Sequence, residues 1–255
     1  MGPVQTLRYG ACLEQYVELT WPKGAGVHGC VVLLHGGFWR ARYDLDLMRP
    51  LARAVADAGL AAANVEYRRV GGRRGGFPGT LADVAAAVDR LAGVPDLDTD
   101  RLVLAGHSAG GQLALWAGGR HRLPAGAVGA GGSVRPTAVV SLAGVCDLAR
   151  AARANTGEGA VPDLLGGMPD DVPERYAVAS PTALVPLGVP TLLVHGDADD
   201  RVPVEQSRGY AARARAAGDD VELLELPGVG HRELIAPAGE AWRAVQKRLP
   251  CWTAP

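Results

Sequence analysis

Ser108 lies in Gly106-His107-Ser108-Ala109-Gly110-Gly111, after the apolar run Leu102-Val103-Leu104-Ala105 and before the helix-like stretch Gln112 to Ala117. A G-x-S-x-G sequence between a strand and a helix makes a very sharp turn. Its serine takes a strained backbone conformation, and small neighbours are needed to avoid clashes. The turn holds a hydroxyl above the sheet, over the N-terminus of the next helix, where developing negative charge is favoured. That geometry suits attack on an acyl carbon. His107, the variable residue of the turn, stands beside the attack site as a possible pocket residue.

A serine hydroxyl is a poor nucleophile at neutral pH unless a base takes its proton, and the base must be held in one tautomer, usually by a carboxylate. Of the six histidines, His231 is the base candidate, because it ends the glycine-rich Pro227-Gly228-Val229-Gly230 turn after the last strand-like run. His35 and His195 directly follow strands and are expected to brace loops. The acid candidates stand in Val194 to Pro203, between a strand and a helix: Asp197, Asp199 and Asp200. Asp197 could brace the turn, and Asp200 could pair with Arg201 at the surface. A third device follows the strand ending at Leu34. In His35-Gly36-Gly37-Phe38-Trp39 the glycines let backbone N–H groups approach a substrate oxygen, so Gly37, Phe38 and Ala109 are the candidate oxyanion donors. Phe38 and Trp39 could line an acyl pocket or pack beside the loop. Leu164, Met168 and Tyr176 could wall that pocket or pack a lid. Arg40 and Arg42 could meet an anionic substrate but are expected to be solvated.

The elements that must hold these residues alternate. Strands are expected at 16–21, 30–34, 60–67, 101–105, 137–142, 190–194 and 221–226. Helices are expected at 45–57, 109–119, 203–217 and 238–249, with one more opened by Thr80 as N-cap and Asp83 three residues on. Residues 70–79 and 125–133 read as loops, and 144–187 as irregular. This alternation predicts an α/β fold, a mostly parallel sheet with helices on both faces. Without repeats or a shift in composition, residues 1–255 read as a single domain with a short lid insertion at roughly 145–188.

The 255 residues carry 26 Lys plus Arg against 27 Asp plus Glu, so no basic field points to nucleic acid or an anionic membrane. The pairs Arg68-Arg69 and Arg73-Arg74 are expected to be a solvated loop. No apolar stretch approaches a membrane span, and the first twenty residues hold no apolar signal-peptide core, so a cytoplasmic protein is expected. Cys12, Cys30, Cys146 and Cys251 are widely separated and fit neither a zinc site nor a disulfide scaffold.

With these pieces in order, the chain resembles an α/β-hydrolase-fold serine hydrolase over nearly its whole length. The order serine, acid, histidine is that of the family. Members with a Gly-x-x-Asp-x-x-Val-Pro segment carry the acid at its Asp, which implies Asp199 here. The His-Gly-Gly-aromatic-Trp loop resembles the family's oxyanion loop. With Tyr9-Gly10, Gln15 and Glu66-Tyr67-Arg68, it is similar to kynurenine formamidases (arylformamidases) and related small-molecule esterases. The resemblance implies a catalytic set of Ser108, Asp199 and His231 that cleaves an ester or activated amide of a small molecule, with no metal or organic cofactor. The charge balance and hydropathy above point to no nucleic-acid or membrane partner, and the sequence sets no oligomeric state. Gly196 to Pro203 and the Gly-Gly after the serine also resemble prolyl-oligopeptidase-type peptidases, which normally carry a large accessory domain. A peptidase acting on short peptides is therefore the alternative, and a non-catalytic binding protein is a third.

Overall fold

Cys30 to Leu34 and Leu102 to Ala105 are apolar at every position, the pattern of strands covered on both faces. In the computed structural model, which describes residues 2–254, both runs lie at the centre of an eight-stranded sheet. The strands are β1 (Val4–Arg8), β2 (Tyr16–Thr20), β3 (His28–Leu34), β4 (Ala61–Val65), β5 (Leu97–His107), β6 (Ala138–Leu142), β7 (Thr191–Gly196) and β8 (Val221–Leu226). Their spatial order is β1-β2-β4-β3-β5-β6-β7-β8. Pairings of β2 with β1 and β4 are antiparallel, and every other pairing is parallel. The C-terminal ends of β3 to β8 therefore share one edge, the side on which ligands bind in open α/β sheets.

The helices are α1 (Arg49–Asp57), α2 (Gly79–Arg90), α3 (Ala109–Gly118), α4 (Leu148–Arg153), α5 (Ala160–Leu165), α6 (Pro173–Ala179), α7 (Glu205–Ala216), α8 (Glu240–Gln246) and α9 (Leu249–Trp252). Side chains alternate across each strand, and the core divides accordingly. Val31 and Leu33 of β3 pack with α1, α8 and α9, while Cys30, Val32 and Leu34 pack with α2, α3, α7 and the lid helices. None of the helices among the described residues is long and apolar enough to cross a membrane.

Several expectations are corrected. The 45–57 segment splits into a 3-10 turn at Leu45–Met48 and α1, because Pro50 is tolerated only in a helix's first turn. Thr80 does not cap α2. It lies inside the helix, where its hydroxyl donates to the Arg68 carbonyl (2.6 Å) and accepts from Gly76 N–H (3.0 Å). Asp83 instead receives the Arg68 guanidinium at 2.6 and 2.8 Å. Arg68 and Arg69 are thus turned inward, Arg69 pairing with buried Glu66 at 2.7 Å, while Arg73 and Arg74 are exposed as expected. The irregular segment holds α4, α5 and α6, of six or seven residues each and separated by glycine and proline. The closing helix is two, α8 and α9, with Pro250 opening the second.

Candidate active site

β5 ends at His107 and α3 begins at Ala109, so a single residue makes the whole turn. Ser108 has φ 57° and ψ −119°, a conformation that L-residues rarely adopt. A Cβ on Gly106 would strike the backbone of Gly110, and one on Gly110 would strike the carbonyl of Leu34. The glycines are what let β5, α3 and β3 meet here. Ser108 N–H donates to the Leu142 carbonyl at 2.8 Å and ties the turn to β6.

His231, after β8, donates from Nδ1 to Oδ2 of Asp199, after β7, at 2.7 Å. The other Asp199 oxygen accepts from the N–H groups of Arg201 (2.8 Å) and Val202 (2.9 Å). Below it lies His195, fully buried. Its Nε2 is 2.8 Å from the Val202 carbonyl and 3.4 Å from Asp199 Oδ2, and its Nδ1 is 2.7 Å from the Ser207 hydroxyl. Burial pushes the Asp199 carboxyl up, but the bonds from His195, His231 and Val202 outweigh it and hold the group well below the usual carboxylate range. Asp197 accepts from Gly228 N–H at 2.6 Å and braces its turn, and Asp200 meets Arg201 at 3.6 Å on the surface. Among the three aspartates, Asp199 is the one bonded to His231.

His107 contacts His231 from the other side, with ring centroids 4.4 Å apart, and its Nε2 lies 3.0 Å from the His231 carbonyl. Burial, reinforced by the neighbouring His231, pushes His107 down to about 3. A neutral ring facing a carbonyl donates from Nε2, which leaves Nδ1 bare; that atom is buried without a partner among the described residues.

The loop after β3 runs through three consecutive positive φ angles: Gly37 (111°), Phe38 (52°) and Trp39 (55°). A Cβ on Gly37 would collide with Tyr43. The N–H groups of Gly37 and Phe38 form no hydrogen bond among the described residues. The N–H of Ala109, first in α3, has no intrahelical acceptor. Trp39 is not a pocket wall: it is fully buried, and its indole donates to Gln112 Oε1 at 3.1 Å. Gln112 in turn donates to the Ala179 carbonyl at 2.9 Å, so Trp39 packs beneath the loop and joins it to α3 and α6.

Ser108, His107, His231, Gly37 and Phe38 line one cavity of about 370 Å³, completed by Tyr43, Leu47 and Ile235 and rimmed by Arg42, Asp200, Arg201, Arg232 and Glu233. Leu164, Met168 and Tyr176 lie outside its wall: Leu164 is in the core, Tyr176 bonds the Gly167 carbonyl, and Met168 is exposed. Arg40 turns to the Glu158 carbonyl (2.7 Å), whereas Arg42 reaches the cavity with its guanidinium 4.8 Å above the Tyr43 ring. The site thus sets a hydroxyl, an imidazole oriented by a carboxylate, and unpartnered N–H donors around one space.

Comparison with known proteins agrees with this architecture. The family model BD-FAE matches residues 18–213. Esterase LipC of Mycobacterium tuberculosis is 30% identical over 218 residues, covering 79% of this chain and 52% of LipC. The chain therefore spans about half the length of that curated relative. A truncated form of a carbohydrate esterase from gut microbiota matches with a TM-score of 0.86 at 20% identity, covering 100% of this chain and 97% of that one. An esterase of the Planctomycetes species Thermogutta terrifontis, with propionate bound, gives 0.77 at 22% identity, covering 99% and 96%. Likeness at these identities is one of fold, and the fold is that of the α/β-hydrolases.

Proposed function

This chain belongs to the BD-FAE family, and we propose that it hydrolyses carboxylic esters of small molecules through an acyl-enzyme on Ser108. The observation that carries this is the 2.7 Å bond from His231 Nδ1 to Asp199, made beside Ser108 on the wall of one cavity. With Nδ1 committed to the carboxylate, the lone pair of His231 is on Nε2, where it takes the Ser108 proton as Oγ attacks the carbonyl carbon. The oxyanion that forms is received by the N–H groups of Gly37, Phe38 and Ala109. The imidazolium then protonates the leaving alkoxide as the C–O bond breaks, and water repeats the sequence to release the acid. A cavity of about 370 Å³ is in the range of small-molecule sites. An alcohol leaving group is favoured by the esterase name of LipC. The same chemistry extends to activated aryl or formyl amides, the arylformamidase-like variant of this reading.

The test is Ser108→Ala. It is expected to lower turnover of a short-chain p-nitrophenyl ester by several orders of magnitude and to abolish labelling by a fluorophosphonate. Near-wild-type activity, or labelling that persists, overturns the proposal. Among p-nitrophenyl esters, N-formylkynurenine and aminoacyl anilides, the esters are expected to show the highest kcat/KM.

A further inference from the structure

His35 opens the oxyanion loop and is fully buried. Its Nδ1 lies 2.8 Å from the Gly36 carbonyl oxygen, and its Nε2 lies 3.2 Å from Glu66 Oε1. A carbonyl can only accept. Glu66 is likewise surrounded by donors: the N–H of Tyr67 (2.9 Å) and Arg69 Nη1 (2.7 Å) at Oε1, and the N–H of Leu45 (3.1 Å) at Oε2. It is therefore an ionised acceptor. The Tyr67 hydroxyl gives its proton to the His35 carbonyl at 2.7 Å, and burial with the adjacent Glu66 holds that phenol well above its ordinary value. The same hydroxyl lies 3.5 Å from His35 Nδ1, but its one proton goes to the nearer carbonyl and none is left for the ring. Both His35 nitrogens thus face acceptors, and only the imidazolium donates from both.

We propose that His35 is a buried imidazolium that, anchored by Glu66, polarises the Gly36–Gly37 peptide and so strengthens the Gly37 N–H as an oxyanion donor. This rests on the esterase reading of the site. The carbonyl that accepts from Nδ1 and the N–H aimed at the oxyanion belong to one peptide group. A charged donor on the oxygen draws electron density from the nitrogen and stiffens the plane. The ring has company that offsets the cost of burying a cation. It stacks on Tyr67 with centroids 4.3 Å apart and planes 8° apart, and Glu66 supplies the opposite charge. The titratable and charged groups around it are Glu66, Tyr67 and Arg69 from the end of β4 onward, Tyr9 bonded to the Glu66 carbonyl, and neutral His107 beside Gly36. Glu66 also fixes the cavity wall, through Leu45 N–H and through Arg69, which donates to the Tyr43 carbonyl. His35 and Glu66 are positioning residues, since neither lines the cavity.

The decisive measurement is ¹⁵N NMR of the histidine rings in the unmodified protein at pH 7.5. Two protonated ring nitrogens are expected at His35, with His107, one nitrogen protonated and one bare, as internal control. A bare nitrogen at His35 overturns the proposal, whatever the activity. His35→Gln keeps a donor without the charge. It is expected to lower kcat by about 10- to 100-fold, less than the ~10²–10³ lost with an oxyanion donor itself, with KM within about threefold. A wild-type kcat, or a loss confined to KM, is the contrary result. If His35→Gln does not fold, the NMR measurement decides alone. If the wild-type protein neither hydrolyses esters nor takes the fluorophosphonate label, the esterase reading has failed and the ring's charge is still decided.

Discussion

Replacing Asp199 with asparagine changes one atom, and the surrounding bonds dictate where that atom goes. The oxygen facing Arg201 N–H (2.8 Å) and Val202 N–H (2.9 Å) must stay an oxygen, because both partners are donors. The amide nitrogen therefore takes the place of Oδ2, 2.7 Å from His231 Nδ1 and 3.4 Å from His195 Nε2. As a donor it forces His231 into the tautomer with its proton on Nε2, which cannot accept the proton of Ser108. Restoring the productive tautomer sets two donors face to face in a site where both side chains are almost fully buried. The corresponding exchange in the serine-protease triad lowers kcat by about 10⁴, or roughly 5–6 kcal/mol of barrier. The same size of loss is expected for Asp199→Asn, with little change in shape and hence in melting temperature. Hydrolysis of p-nitrophenyl butyrate measures it, with Ser108→Ala as the floor and Asp200→Asn, expected within about threefold of wild type, as the control. If Asp199→Asn keeps more than a tenth of wild-type kcat, or Asp200→Asn is equally damaging, the assignment of the acid is wrong.

Other perturbations probe the supports of the site. Gly37→Ala is expected to lower kcat by at least about 10²-fold, because φ is 111° and the new Cβ collides with Tyr43; ester turnover at saturation measures it. Trp39→Phe strands the buried Gln112 Oε1 and is expected to cost about 1–3 kcal/mol in urea unfolding, with kcat within about threefold, as befits packing rather than a pocket wall. His107 is held down to about 3 against 6.5 when unfolded, so between those values the unfolded chain binds the extra proton. Stability is therefore lost as pH falls from about 6.5 toward 3, by up to about 1.4 kcal/mol per pH unit from this group. Unfolding of His107→Gln across that range is expected to lack this share.

The residues that could be named from sequence share one property: their signals are local. Ser108, His231 and the Gly36-Gly37-Phe38 loop each lie within a few residues of a strand end and a glycine that fixes a turn, and the segment around Asp199 reads the same way. Trp39 stands in the same local frame, yet its partner Gln112 is 73 residues away, and that contact decides between pocket and packing. Arg68 and Arg69 read as solvated because their acceptors, Asp83 and Glu66, lie beyond the loop's own composition. Thr80 has the local signature of a cap, a hydroxyl three residues before an acid. The helix is capped two residues earlier, at Pro78, and Gly76 and Arg68 use that hydroxyl instead. The lid helices, too short for a full apolar stripe, left no periodicity to read.

What the local signals omit is a second rank of buried polar groups. His107 holds the carbonyl of His231, His195 underlies Asp199, Leu142 takes the N–H of Ser108, and His35 with Glu66 grips the loop after β3. These partners come from different strand ends, and the parallel topology explains why. Strands β3 to β8 run the same way, so their C-terminal ends open on one edge, and each loop there lies against loops remote in sequence. A polar side chain at or just past a strand's C-terminal end is then buried by its neighbours rather than by its own segment, and must find a partner among them. The strained serine and the run of positive φ angles after β3 persist because bonds of this kind over-determine them. Removing one such partner should therefore loosen a geometry that the reacting groups cannot hold alone.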